Sequence, residues 1–253
     1  VDSKYLCVTL LTSKTERCKM KYMGSKARHA KEMLPIILKD RKEGQWYVEP
    51  FVGGCNMIDK VNGNRIGADV NEPLISMWKS LQNGWTPPEY ITPSTYKSIR
   101  ENQATCRKDV LGWIGHCCSY NGKWFGGFAG KITTKEGNER NYQAEAINAV
   151  TKQQVNLVGV QFHCCTYDVL EFPSNSIIYC DPPYKGTTKY KDDFNHDKFY
   201  DWCREKRKEG HTVFVSEYWM PDDFTCVWQK EVNSSLTKDT GSKKAVEKLF
   251  TLV

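Results

Sequence analysis

An α/β fold is predicted for this chain: an open, Rossmann-like sheet flanked by helices, interrupted once by a smaller inserted subdomain. Three observations carry that expectation. Short apolar runs of strand length alternate with helix-length segments at both ends of the chain. Two of these runs close on an acidic residue, at the strand ends where open α/β sheets meet their ligands. The alternation lapses between about 85 and 157, which sets 1–84 and 158–253 apart as a core and 85–157 as the insert. A chain of 253 residues is long enough to bury such a core and still carry the insert.

Taken in order, a helix is expected over 27–41, and Trp46-Tyr47-Val48-Glu49 reads as the first strand. Gly53-Gly54 then lets the backbone turn tightly and approach a ligand, and Asn56 to Val61 can start a helix. This is a strand, loop and helix site of nucleotide type. It lacks GxGxxG, which disfavours a dinucleotide enzyme. Arg65 to Val70 reads as the next strand, and its Asp69 can grip ribose hydroxyls or, more plainly, cap a helix over 72–83. Trp85-Thr86-Pro87-Pro88 marks the boundary of the insert.

After the insert, Val160 to Cys165 reads as a strand leading to Asp168, and Ile177-Ile178-Tyr179-Cys180 as a buried strand ending at Asp181. A helix over 196–209 follows Asn195, and Thr212 to Ser216 is a further buried strand. Cys226 to Val232 and Val246 to Leu252 close the sheet.

The sharpest feature is Asp181-Pro182-Pro183-Tyr184. Its plain reading is a turn, but chance would produce this tetrapeptide in such a chain on the order of once in a thousand. It sets a carboxylate, a rigid carbonyl and an aromatic face on one short loop, as methyl transfer to an exocyclic base amine requires. The adenine amine is a poor nucleophile because its lone pair is delocalised into the ring. Asp181 and the Pro182 carbonyl can accept its two hydrogens, while Tyr184 stacks on a base flipped from the duplex.

In this the sequence resembles the Dam-type family of DNA adenine methyltransferases. Lys21-Tyr22-Met23-Gly24-Ser25-Lys26 is similar to the family's K-[WY]-x-G-[GS]-K element, Val48 to Cys55 to its VEPFxGxG loop, and Ala68-Asp69-Val70-Asn71 to its D-x-N. The resemblance implies a Rossmann-like methyltransferase sheet with an antiparallel pair at one edge, and S-adenosylmethionine as cofactor. It implies that Glu49, Pro50, Phe51, Gly53 and Asp181 line the cofactor site, with Asp69 on the ribose and Asp168 on the adenine. Lys26 is expected near the cofactor carboxylate and Tyr22 beside its methionine portion. Pro182, Pro183 and Tyr184 join Asp181 as the catalytic set, and no metal is implied.

The insert resembles the family's target-recognition region in position. Its stretch Tyr120 to Phe128 interleaves aromatic, basic and Gly residues around an Asn-Gly turn signal. Asn121, Lys123, Trp124 and Arg140 are the candidate DNA contacts, against the plainer reading that Trp124 and Phe125 pack the subdomain. The net charge of +6 agrees: residues 1–31 hold eight Lys/Arg against two Asp/Glu, and 95–160 hold nine against five. Eleven cysteines without a signal peptide point to a reducing compartment, and the resemblance implies the cytoplasm of a bacterium or of a virus's bacterial host. Val8-Thr9-Leu10-Leu11 is too short for a membrane span. The paired His116-Cys117-Cys118 and His163-Cys164-Cys165 suggest zinc only weakly, because adjacent cysteines fit one metal poorly.

The expected activity is therefore site-specific methylation of adenine N6 in double-stranded DNA; the resemblance alone implies a monomer, and the sequence itself gives no oligomeric state. An RNA adenine methyltransferase and a non-catalytic, cofactor-dependent DNA-binding protein stand as alternatives. Cytosine-amine transfer is disfavoured because Ser replaces Asp181 in that group. The target sequence, and the choice between restriction–modification, host regulation and viral DNA modification, stay open. The chain opens without Met, as a processed or partial chain would.

Overall fold

The computed structural model describes residues 19–185, 194–233 and 244–252, so the Val8 to Leu11 run lies outside the described residues. One sheet is built from β1 (Tyr47–Glu49), β2 (Arg65–Asp69), β5 (Val160–Cys164), β6 (Ile177–Cys180), β7 (Thr212–Glu217), β8 (Phe224–Asn233) and β9 (Lys244–Leu252). Its order is β5-β2-β1-β6-β7-β9-β8. The first five are parallel, whereas β9 runs antiparallel to both β7 and β8. The expected antiparallel pair thus lies at one edge.

Burial follows position in the sheet. β1 and β6 are buried on both faces, while edge strand β5 alternates between buried and exposed residues. Tyr47, Ile177 and Tyr179 point into one apolar cluster and Val48, Ile178 and Cys180 into another, so the pleat feeds two cores. The sheet order reverses between β1 and β6, opening a crevice at their carboxyl ends.

The three helices expected outside 85–157 are present, with shifts at their ends. Asn71 caps α2 (Glu72–Gln82) through Leu74 N, and Leu74, Ile75, Trp78 and Leu81 form its buried stripe. Asn195 likewise caps α6 (His196–Lys208). The helix expected over 27–41 is a 3₁₀ turn at Lys26–Arg28 followed by α1 (Ala30–Ile37), which carries Pro35 inside its short span. Asn56 to Val61 supplies only the 3₁₀ turn Ile58–Lys60, after a loop in which Cys55 takes a positive φ of 56°.

The middle of the chain is more ordered than its sequence suggested. It holds α3 (Pro93–Glu101), α4 (Lys108–Gly112) running into a π-helical turn at Trp113–Cys117, the hairpin β3 (Lys131–Thr133) and β4 (Glu139–Asn141), and α5 (Tyr142–Asn156). The Asn-Gly signal at 121–122 gives a loop closed by a Ser119–Phe128 bridge, and the hairpin follows it. Tyr96, Trp113, Ile114 and Val150 pack in the same cluster as Tyr47 and Trp78. Arg65 ties the end of α5 to β2 by donating to the Asn156 and Val158 carbonyls at 2.6 and 2.7 Å. Among the described residues, no helix is long and apolar enough to cross a membrane.

Candidate active site

Four parallel strands deliver a carboxylate to the same edge of the sheet. β1, β2 and β7 end on Glu49, Asp69 and Glu217, and Asp181 follows β6 directly. Asp69 and Asp181 were legible as strand-end acids, and Glu49 through the resemblance of its loop. Glu217 shows the same signal, an acid closing an apolar run, and was missed.

The loop after β1 is held from several sides. Val52 N donates to Ala68 O at 2.8 Å, and Gly53 N donates to Asp69 Oδ2 at 3.0 Å. Trp78 Nε1 donates to Gly53 O, and Gln153 Nε2 to the Gly54 and Cys55 carbonyls. Gln153 also accepts from Met20 N, fastening the segment that carries Tyr22. Tyr22 lies directly against the loop: a Cβ at Gly53, whose φ is +47°, would sit 2.7 Å from Tyr22 Cε1.

Asp69 Oδ1 accepts from Asn71 N at 3.0 Å, so both oxygens hold backbone N–H groups and the α2 cap is Asn71. Burial raises the Asp69 carboxyl above its ordinary range against these hydrogen bonds. Glu49 is buried and accepts from Tyr47 Oη at 2.8 Å; burial pushes it well above the carboxylate range. Pro50 is buried beside it. Phe51 sits among Tyr167, Phe194 and Phe199, with ring centroids 5.6 to 5.8 Å apart. Asp168, just beyond Tyr167, pairs with Lys198 at 2.5 Å, and that hydrogen bond holds its carboxyl below the usual value.

Around Asp181 the structure gives Lys26 two carboxylate neighbours. The Lys26 ammonium is buried and lies 3.2 Å from Asp181 Oδ1 and 3.5 Å from Glu247 Oε2. Burial opposes its charge, but the two carboxylates outweigh it and hold the ammonium above the ordinary lysine range. The same ammonium lies 4.4 Å from the Tyr184 ring centroid. Tyr184 Oη donates to Glu247 Oε2 at 2.9 Å, and its ring meets Tyr218 edge-on. Burial pushes the Asp181 carboxyl up to about 6, with Lys26 opposing and Glu247 reinforcing the shift. Glu217 accepts from Lys185 N and Tyr218 N, clamping the chain just past Tyr184, and burial pushes it up to about 7. Pro182 is buried and Pro183 partly exposed.

The candidate DNA contacts fall into two groups. Asn121 and Arg140 line one cavity of ≈ 210 Å³ together with Lys19, Lys21 and Tyr142. The basic amino-terminal stretch and the insert therefore meet there. Arg140 makes a bidentate pair with Glu145 at 2.6 and 2.9 Å, and Lys21 reaches the same carboxylate at 3.3 Å. Lys123 is exposed, whereas Trp124 packs on His116 and Phe125 and fills the space a Cβ at Gly115 would need. Among the described residues, no group of three His, Cys, Asp or Glu is arranged to hold a metal.

Comparison with known proteins agrees with this architecture. The profile of the D12 class N6 adenine-specific DNA methyltransferases matches residues 22–224. The Type II methyltransferase M.FokI of Planomicrobium okeanokoites is 24% identical over 208 residues, covering 73% of this chain. This chain spans 31% of the length of that relative. The Type II methyltransferase M.MjaIII of Methanocaldococcus jannaschii is 24% identical over 253 residues, covering 81% of this chain and 85% of its own. The Retron Ec67 DNA adenine methylase of Escherichia coli is 25% identical over 230 residues, covering 78% and 75%. With most of its length matched by that profile, the chain belongs to the D12 class N6 adenine-specific DNA methyltransferase family.

Proposed function

We propose that this chain is a site-specific enzyme that methylates the 6-amino group of adenine in double-stranded DNA, using S-adenosylmethionine. The observation that carries the reading is Asp181, a carboxylate only 22% exposed at the carboxyl end of β6, one strand from the loop that follows β1. That is the crevice where the sheet order reverses.

The donor set suits the cofactor. Asp69 offers carboxylate lone pairs for ribose hydroxyls, and Phe51 with Tyr167 offers an aromatic wall for an adenine ring. The surrounding carboxylates favour a cationic sulfonium, and Tyr22 packs on the glycine loop where a methionine portion would lie. When bound, S-adenosylmethionine supplies a methyl group activated by its sulfonium. The protein's part is to hold the amine: Asp181 and the Pro182 carbonyl accept its hydrogens and stabilise positive charge growing on nitrogen. Residues 85–157 serve as the target reader, supported by the meeting of Asn121 and Arg140 with Lys19 and Lys21 around one cavity.

The test is methyl incorporation into unmethylated genomic duplex DNA, single-stranded DNA and RNA, with the modified nucleoside identified. Asp181→Ala should lose about a hundredfold or more in turnover with S-adenosylmethionine affinity retained, and Asp181→Ser should fall between. Near-wild-type turnover in Asp181→Ala sinks the assignment, and methylation confined to RNA replaces the substrate.

A further inference from the structure

Glu247 belongs to none of the motifs that identify the site, yet it touches two of them. It projects from β9, where it pairs in register with Lys230 of β8. Its Oε2 accepts the Tyr184 hydroxyl at 2.9 Å and lies 3.5 Å from Lys26 Nζ. That ammonium is in turn 3.2 Å from Asp181 Oδ1. The three side chains are 7%, 13% and 22% exposed for Lys26, Glu247 and Asp181, so water screens them weakly.

One cation thus stands between two carboxylates, and the count of charges matters. Lys26 with Asp181 alone would form a neutral pair, and the carboxylate would have little net attraction left for a positive centre. Glu247 leaves the cluster with a net negative charge. As the amine nitrogen bonds the methyl carbon, the carbon–sulfur electron pair stays with sulfur. The nitrogen is then cationic until one of its hydrogens passes as a proton to solvent water. That is the moment at which uncompensated negative charge beside it lowers the barrier.

We propose that Glu247 is a positioning residue for methyl transfer: it anchors the Tyr184 hydroxyl and offsets the Lys26 ammonium, so that Asp181 faces the target amine with its charge uncancelled. This rests on the role given to Asp181 above. Among the described residues, the titratable groups facing Asp181 are Lys26, Glu49 on β1, Tyr179 and Cys180 on β6, Tyr184 on its own loop, Glu217 and Tyr218 at the end of β7, and Glu247 on β9.

Two readouts test it. In the ligand-free protein, carbon-13 NMR of the Asp181 carboxyl should show its midpoint falling by about one pH unit in Glu247→Gln and rising by a similar amount in Lys26→Met. Glu247→Asp keeps the charge and should keep the wild-type midpoint. On unmethylated bacterial genomic DNA with saturating S-adenosylmethionine, Glu247→Gln should lower plateau turnover about tenfold or more while its acid limb moves to lower pH. The KM for S-adenosylmethionine should be unchanged. A merely structural loss would lower turnover without moving the limb downward. If Glu247→Gln does not fold, Lys26→Met is compared with Lys26→Met/Glu247→Gln, which leaves no orphaned charge from the pair, and the midpoint should again fall when Glu247 is removed. An unmoved midpoint, or wild-type turnover in Glu247→Gln while Asp181→Ala is inactive, overturns the role of Glu247 alone. Wild-type turnover in Asp181→Ala overturns the reading beneath it.

Discussion

Replacing Gly53 with Ala should damage the loop after β1 through two separable effects. The first is backbone strain, since φ at Gly53 is +47° and a left-handed conformation costs an L-residue roughly 1–2 kcal/mol. The second is a collision, because the new Cβ would meet Tyr22 Cε1 at 2.7 Å and Cζ at 3.2 Å, an overpacking worth ~1–3 kcal/mol. Tyr22→Ala removes those ring atoms and leaves the strain. The double variant should therefore recover ~1–3 kcal/mol relative to the sum of the single losses. Gly54→Ala is the control. Its obstacles are Tyr22 Cβ at 2.6 Å, Asn56 Nδ2 at 2.8 Å and Tyr22 Cγ at 3.0 Å, of which Tyr22→Ala removes only the last, so a smaller recovery than at Gly53 is expected. Urea denaturation of the single and double variants gives the coupling energies, and calorimetry of S-adenosylmethionine binding should follow the same order. Equal recovery at both glycines, or additivity at Gly53, would refute the contact as the cause.

Two further outcomes follow from charge. Glu217 has its carboxyl raised from 4.5 to about 7, so the native state binds the extra proton between those values. Its contribution is greatest at low pH and declines by ~3 kcal/mol as pH rises through that window, so Glu217→Gln should flatten the denaturation-versus-pH curve there, and parallel curves would exclude the shift. Lys123→Ala should weaken duplex binding and lower the salt slope by about one, whereas Arg140→Ala should weaken it further because it also releases Glu145. Restoration of part of the Arg140→Ala loss by Glu145→Ala is the check on that second effect.

The sequence was informative wherever local pattern and burial agreed. Strands β1, β2, β6 and β7 are buried runs bounded by turn residues, and their terminal acids Asp69 and Asp181 could be read as ligand-facing because a parallel strand delivers its end to one edge. Two kinds of information were missing. The first is long-range pairing: the motif places Lys26 only by resemblance, near the cofactor carboxylate, and the approach of β9 to the loop after β6 reveals that Asp181 and Glu247 are its neighbours. The second is polar burial. Helix α5 escaped notice because its buried positions include Gln143 and Gln153, which no apolar periodicity detects. Thr92-Pro93 and Asn141 were available as start signals for α3 and α5, since both Thr92 and Asn141 do cap.

Those two glutamines explain why a helix of the insert takes a polar face into the core. Gln143 accepts from Ile91 N and donates to Ile91 O, and Gln153 accepts from Met20 N while donating to Gly54 O and Cys55 O. These are backbone groups of non-helical segments, which no neighbouring strand pairs, and each would cost ~1–3 kcal/mol if left buried and unsatisfied. An apolar side chain at 153 would fill the volume but abandon Met20 N and Gly54 O, leaving Cys55 O with the Asp59 N–H at 3.3 Å. The same helix carries Glu145, the partner of Arg140 and Lys21, about 12 Å along the axis from Gln153 at 1.5 Å per residue. One helix thus runs from the basic cavity to the glycine loop, and a contact that shifted α5 at the cavity would be expected to reach the loop that Gln153 holds. Arg140 variants should accordingly be read for cofactor affinity as well as for DNA affinity, because the element between the two surfaces is shared.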